Sequence, residues 1–411
     1  MKIFNRKLKI TSSALLTLCM VFVMTACAEN SSQSEKSQPA EQTTVQPTTM
    51  SAEEINDRKL DKFISDMTLE EKVGQMFFVR CPDEDAVKQV SEYNIGGYIL
   101  FGRDFDGKTK DEVVDDIHSY QNEADIPLLI GVDEEGGTVV RVSSNPNLRE
   151  TPFLSPKDTY ADGGWDAVKQ DAEEKADLLL SLGINVNLAP VCDMTSDEYG
   201  FMYDRSFSSD VDMENRYVRT VVETSKSKKL GTVLKHFPGY GNNSDTHTGI
   251  AYDDRDYSEF ENTDFKPFYQ GIESGADCIL VSHNIVNCMD SEYPASLSQK
   301  VHDILRNEFK FDGVIMTDDL IMDAITDFTG DEAAAVTAAK CGNDLLCCSS
   351  VDTQYPAVLE AVQNGEISEA QVDASVKRIL KWKQNLGIFN IDTYQKKVKS
   401  TEPTDTVGSE E

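Results

Sequence analysis

The feature that most constrains this chain is an alternation. Eight short apolar runs, each bounded by turn residues, are separated by amphipathic stretches of helical length. The runs are Met76–Val79, Gly97–Phe101, Leu128–Asp133, Val186–Pro190, Thr232–Phe237, Cys278–His283, Gly313–Asp318 and Asp344–Cys348. The stretches predicted as helices include Asp85–Tyr93, Lys110–Ala124, Asp166–Leu182, Asp212–Leu230, Asp264–Ser274, Gln299–Glu308, Asp331–Cys341 and Pro356–Gln363. Continuous rather than alternating apolar strands are buried on both faces, which is the mark of parallel βαβ units. Asn94 to Gly97, Ser181 to Gly183, Ser274 to Ala276 and Cys341 to Asn343 carry glycines just before strands, where helix C-caps are expected. Eight units predict an α/β chain folded as a (β/α)₈ TIM-like barrel, a single catalytic domain. No Gly-x-Gly-x-x-Gly follows the first strand, which weighs against a dinucleotide-binding sheet. A last amphipathic stretch, Ser368–Leu386, places Val372, Val376, Ile379, Leu380 and Trp382 on one face and should close the barrel from outside.

The barrel is expected over residues 51–395, with different material on either side. Lys2, Arg6, Lys7 and Lys9 precede an apolar run, Ile10 to Thr25, too short and poorly flanked to span a membrane. Residues 1–26 therefore read as a secretory signal. The run ends Met24-Thr25-Ala26-Cys27, which resembles a bacterial lipobox and implies a lipid on Cys27 as first mature residue. Ordinary cleavage near Ala26 or Ala28, with Cys27 incidental, is the competing reading. Residues 27–50 are rich in Ser, Gln, Thr and Pro and should form a disordered tether, with a similar acidic tail over 396–411. These features place the chain outside the cytoplasm, anchored to the cell membrane.

Formal net charge is −33, from 72 acidic and 39 basic residues. Losing the basic signal leaves the remainder more acidic still. Such a field argues against nucleic acid as a partner, and leaves the lipid on Cys27 as the sole expected membrane contact. Beyond Cys19 and Cys27, seven cysteines remain without metal-like spacing, several inside strand runs. They are expected to be mostly free core thiols, with some pairing left open.

Barrel chemistry gathers at strand C-termini. Here the third run ends in Asp133-Glu134-Glu135-Gly136-Gly137, the fourth leads to Asp193, and the fifth ends in Lys235-His236. The sixth ends in Ser282-His283-Asn284 and the seventh in Thr317-Asp318-Asp319. Helix capping explains any one of these, and for Asp193 that is the preferred reading. It does not explain all of them. Asp133, His236, His283 and Asp318 could serve as zinc donors, but they are scattered singly and Lys235 would set a cation beside the ion. No metal and no cofactor are expected.

Lys235-His236-Phe237-Pro238-Gly239-Tyr240-Gly241 followed by Asp245-Thr246-His247 resembles the hallmark of family 3 glycoside hydrolases, β-N-acetylglucosaminidase branch. Ile304 to Glu308 followed by Gly313 to Met322 is similar to the family's nucleophile segment. Asp133 to Gly137 with Arg141, Ala189 to Asp193, and Asp204 to Ser208 agree. Two departures are Tyr240, where the family has His or Leu, and a loop one residue short between Gly241 and Asp245. The resemblance implies Asp318 as nucleophile, His247 as acid/base and Asp245 as its orienting partner. It also implies a pocket of Asp133, Arg141, Arg205, Lys235 and His236 around one sugar. The implied reaction is removal of terminal β-linked N-acetylglucosamine (GlcNAc), with peptidoglycan fragments leading and chitin oligosaccharides following as substrates. A β-glucosidase, a GlcNAc phosphorylase and a non-catalytic sugar-binding lipoprotein are the alternatives. Asp319 is expected to be structural, with His283 and Asn284 as pocket walls.

Overall fold

The computed structural model describes residues 50–396 apart from 242, 244–248 and 330. Cys27, the tether, Asp245, His247 and the acidic tail lie outside the described residues. All eight expected strands form: β1 Phe77–Arg80, β2 Gly97–Leu100, β3 Leu129–Val132 and β4 Val186–Asn187, then β5 Gly231–Phe237, β6 Cys278–Val281, β7 Val314–Thr317 and β8 Leu346–Cys348. Neighbours pair in parallel in the order β8-β1-β2-β3-β4-β5-β6-β7. A parallel bridge from Met316 to Leu345 joins β7 to β8 and brings the ring round to a barrel. The strands are buried along almost their whole length, as their unbroken apolar character requires.

Most helices start within a residue or two of where the sequence signals place them, but the one predicted from Pro356 begins earlier, at Val351. Thr68 and Thr109 each accept a hydrogen bond from a backbone N–H three residues on, while Glu71 and Glu112 reach back to the cap. Such capping boxes satisfy donors that the first helical turn leaves open. Three further helices differ from expectation. The stretch predicted over Asp166–Leu182 begins earlier, at Pro156, with a break at Gly163 and Gly164 where the backbone leaves helical geometry. Helix Ala52–Ser65 and helix Leu69–Gln75 precede the barrel without having been marked by a strong periodic pattern. The closing helix, Glu369–Asn385, buries Val372, Val376, Ile379, Leu380 and Trp382 as expected. Each such side chain contributes about 1.5–3 kcal/mol when fully buried.

One irregularity bears on function. Leu234 pairs with Ile279 and Phe237 with Val281, so β5 carries an extra residue between them. That bulge contains Lys235 and His236, and the peptide joining them is cis. Bulges re-aim side chains at barrel rims. The seven cysteines among the described residues are free thiols, six of them buried and Cys288 exposed.

Candidate active site

The floor of the site comes from β3, β4 and β5. Lys235 Nζ lies 2.6 Å from Asp133 Oδ1 and 2.6 Å from Glu135 Oε1. Arg205 grips Glu135 with two nitrogens, Nε at 2.9 Å and Nη2 at 2.8 Å. Burial alone would raise the Glu135 carboxyl, but the Lys235 and Arg205 charges outweigh it and hold it well below the usual carboxylate range. Burial would likewise lower the Lys235 ammonium, but Asp133 and Glu135 keep it above its ordinary value. Glu135, Lys235 and Arg205 are therefore ionised at neutral pH. Charge is dense here and yet locally compensated.

His236 extends this chain of contacts. Its Nε2 lies 3.3 Å from Arg205 Nη2, and its Nδ1 lies 2.7 Å from Asp193 Oδ2. Asp193 also accepts from the backbone N–H of His236 at 2.9 Å and of Tyr240 at 2.8 Å. The expected helix-capping role for Asp193 is thus corrected. Its buried carboxylate pins the imidazole and the backbone of the following loop, because β4 and β5 are neighbours in the barrel. With Nδ1–H facing a carboxylate, Nε2 is the nitrogen left to accept.

The paired glutamates after β3 divide their work. Glu134 accepts from the backbone N–H groups of Arg141 at 2.9 Å and Val142 at 2.7 Å, and from the Ser143 hydroxyl. It folds the chain back so that Arg141 returns to the β3 end. The turn between them needs glycine: at Gly136, φ is +105° and a Cβ would stand 2.1 Å from the Leu154 carbonyl oxygen.

Across the mouth, Asp318 follows β7. Its backbone N–H bonds the Val281 carbonyl at 3.2 Å, and its Oδ1 accepts from the Asp319 N–H at 2.9 Å. Asp319 serves the turn itself: Oδ2 accepts from Ser349 Oγ at 2.6 Å and Oδ1 from the Ile321 N–H at 3.2 Å. Burial raises the Asp319 carboxyl, and the neighbouring Asp318 charge adds to this. His283 supports the same turn, with Nε2 3.0 Å from the Asp319 carbonyl oxygen and Nδ1 2.7 Å from Ser296 Oγ. Cys347 lies on β8, between β7 and β1. Burial chiefly raises its thiol, and the charges of Asp319, Asp318 and Asp133 raise it further.

The structure thus gathers Asp133, Arg205, Lys235 and His236 into one bonded cluster, with Asp318 on the same rim. Arg141 stands beside that cluster without a side-chain hydrogen bond to a described residue; its Nε is buried and unpartnered. Asp245 and His247 lie outside the described residues. Glu135 was quoted within its motif but given no role, although an acidic residue two positions past a strand end was its signal. Arg80 was missed altogether. It is the last residue of β1, directly after the apolar run, level across β2 with Gly131 of β3.

The model of the glycosyl hydrolase family 3 N-terminal domain matches residues 68–382, most of the chain and the whole barrel. The chain belongs to glycosyl hydrolase family 3. Among its family 3 relatives, a β-hexosaminidase of Hydrogenovibrio crunogenus is 31% identical over 286 residues, covering 68% of this chain and 79% of that protein. A family 3 β-N-acetylglucosaminidase from Paenibacillus sp. str. FPU-7 superposes with a TM-score of 0.74 at 30% identity. That match covers 84% of this chain and 66% of the Paenibacillus chain. LpqI of M tuberculosis superposes with a TM-score of 0.71 at 26% identity, covering 79% of this chain and 96% of LpqI.

Proposed function

We propose that this family 3 chain is a retaining exo-β-N-acetylglucosaminidase that removes terminal β-linked GlcNAc, with peptidoglycan fragments as its leading substrate. The observation that carries this reading is the Asp318 carboxylate at the end of β7, on the same rim as the Asp133–Lys235–Glu135–Arg205–His236 cluster. The relatives named β-hexosaminidase and β-N-acetylglucosaminidase support the sugar preference.

Retaining hydrolysis needs a nucleophile beneath the anomeric carbon and a proton donor at the leaving oxygen. Asp318 attacks as carboxylate and forms the covalent glycosyl-enzyme. His247, oriented by Asp245, protonates the leaving oxygen and then deprotonates the incoming water, since an imidazole titrates near neutrality. Asp133, Arg141, Arg205, Lys235 and His236 hold the sugar hydroxyls. Remote grip of this kind contributes to transition-state stabilisation. A lipid on Cys27 would hold the enzyme outside the cell membrane, where such fragments arise.

The test is hydrolysis of a chromogenic β-N-acetylglucosaminide by wild type, Asp318→Asn and His247→Ala. Loss of a nucleophile acting in concert with its partners is expected to cost about 10⁴-fold or more in kcat. Equal rates in all three proteins would overturn the mechanism. Binding of GlcNAc by an inactive wild type would favour a sugar receptor instead.

A further inference from the structure

The cations around the barrel mouth fall into two groups. Lys235 and Arg205 are neutralised by Asp133 and Glu135, and Arg103 by Asp83 at 2.6 Å. Among the described residues, no carboxylate forms an ion pair with Arg80 or Arg141. Both guanidiniums lie over the ring of Phe101, the residue after β2, with Cζ at 4.5 Å and 5.8 Å from its centroid. Neither side chain makes a hydrogen bond or ion pair with a described residue, and the Nε of each is buried without a partner.

Stacking on an aromatic face orients a guanidinium but does not cancel its charge. Holding two unpaired cations on one ring, with a donor of each shielded from water, costs free energy in the empty site. The arrangement makes sense if an acceptor arrives from outside. Arg80 sits at the end of β1, next to β8, and its charge reaches the Asp319 carboxyl beside Asp318. Only β8 separates its strand from β7, which leads into Asp318, whereas the compensated floor comes from β3 to β5. Its terminal nitrogens are absent from the buried, unpartnered atoms and are the part of the group open to solvent. A planar pair of N–H donors matches the two oxygens of a carboxylate.

We propose that Arg80, ordered by Phe101, is an oxyanion-recognition residue that selects substrates whose aglycone sugar carries a carboxylate. This rests on the glycosidase reading and sharpens it, because GlcNAc linked to a lactyl-bearing sugar such as N-acetylmuramic acid (MurNAc) has that group and a chitin oligosaccharide lacks it. Inorganic phosphate is the other source of the same oxyanion chemistry.

The test compares GlcNAc-β-1,4-MurNAc with its methyl ester, which is the same disaccharide without the charge. Binding of both is measured by calorimetry in Asp318→Asn protein, with and without Arg80→Gln or Arg80→Lys. The acid is expected to bind roughly 10-fold or more tighter than the ester, the scale of one charge-assisted hydrogen bond. Arg80→Gln should erase that preference and Arg80→Lys should restore part of it. No preference for the acid, or one that survives Arg80→Gln, overturns the carboxylate assignment. A second arm follows GlcNAc 1-phosphate formation from an aryl GlcNAc glycoside in phosphate buffer, using proteins with Asp318 intact. Product formed by wild type and lost in Arg80→Gln, with no acid preference, assigns the site to phosphate and overturns the aglycone role. Failure of the glycosidase reading shows separately, as no turnover of the aryl glycoside by wild type.

Discussion

The β3–β5 wall and the β1–β2 wall of the barrel mouth are both built from strand ends and the loops that fold over them, yet they handle charge in opposite ways. On the first, Lys235 is shared by two carboxylates and Arg205 is doubly bonded to Glu135. On the second, Arg80 and Arg141 rest on Phe101 without an acceptor among the described residues. A compensated network fixes geometry before substrate arrives and loses little by waiting. An uncompensated cation keeps its interaction energy for a ligand. The difference separates residues that shape the pocket from residues that choose what enters it.

The strongest way to break this comparison is to remove the shared cation of the first wall. Lys235→Met should lower unfolding stability by about 3–5 kcal/mol, since it strands the half-buried Asp133 and leaves the buried Glu135 with Arg205 alone. Urea denaturation at neutral pH measures it. Arg80→Met should not show a loss of that size, because no described partner is stranded.

Asp193→Asn comes next. It keeps the shape but weakens the acceptor for His236 Nδ1 and for two backbone N–H groups. The expected loss is about 1–3 kcal/mol, read as a 10–100-fold fall in kcat/KM for an aryl glycoside.

Acid stability sharpens the comparison further. The folded-state pKa of Glu135 is depressed, so its contribution is complete above the ordinary glutamate value of about 4.3 and is lost as pH falls through the folded value below it. In Lys235→Met the depression shrinks, so the loss below about pH 4.3 should be smaller and finish at a higher pH. Stability measured against pH from 7 to 3 for both proteins gives the result.

The smallest effect concerns Glu214, buried behind the floor. Burial first, and the Asp193 charge next, raise its carboxyl well above the usual range. A raised value means its contribution is fully present below about pH 4.3 and erodes as pH rises towards the folded value. Glu214→Gln keeps an acceptor for the Ser208 N–H and cannot ionise. Its stability should stay within about 1 kcal/mol of wild type at low pH and gain on it as pH rises.

Much of the site was legible because strand ends are legible. Apolar runs with sharp polar ends mark where a parallel barrel releases its chain, so Asp133, Lys235, His236 and Asp318 were found from position, with family resemblance adding Arg141 and Arg205. Asp193 was placed at a strand end but given the wrong task. A carboxylate after a strand looks the same in sequence whether it caps a helix or receives an imidazole from the next strand. Arg80 escaped because it follows an apolar run with no motif around it, and a single arginine has many ordinary uses.

The sequence by itself determined the barrel, the order of its strands and which residues stand at its mouth. Those follow from local patterns of burial and turn formation, repeated eight times along the chain. Only the tertiary structure decided who pairs with whom. Lys235 meets Asp133 across 102 positions and Arg205 meets Glu135 across 70, and such pairings exist only once the ring has formed. Partner choice also settles which buried carboxyl is pushed down, as at Glu135, and which is pushed up, as at Glu214. Desolvation and neighbouring charge are properties of a place in space, and the linear order of residues does not contain them.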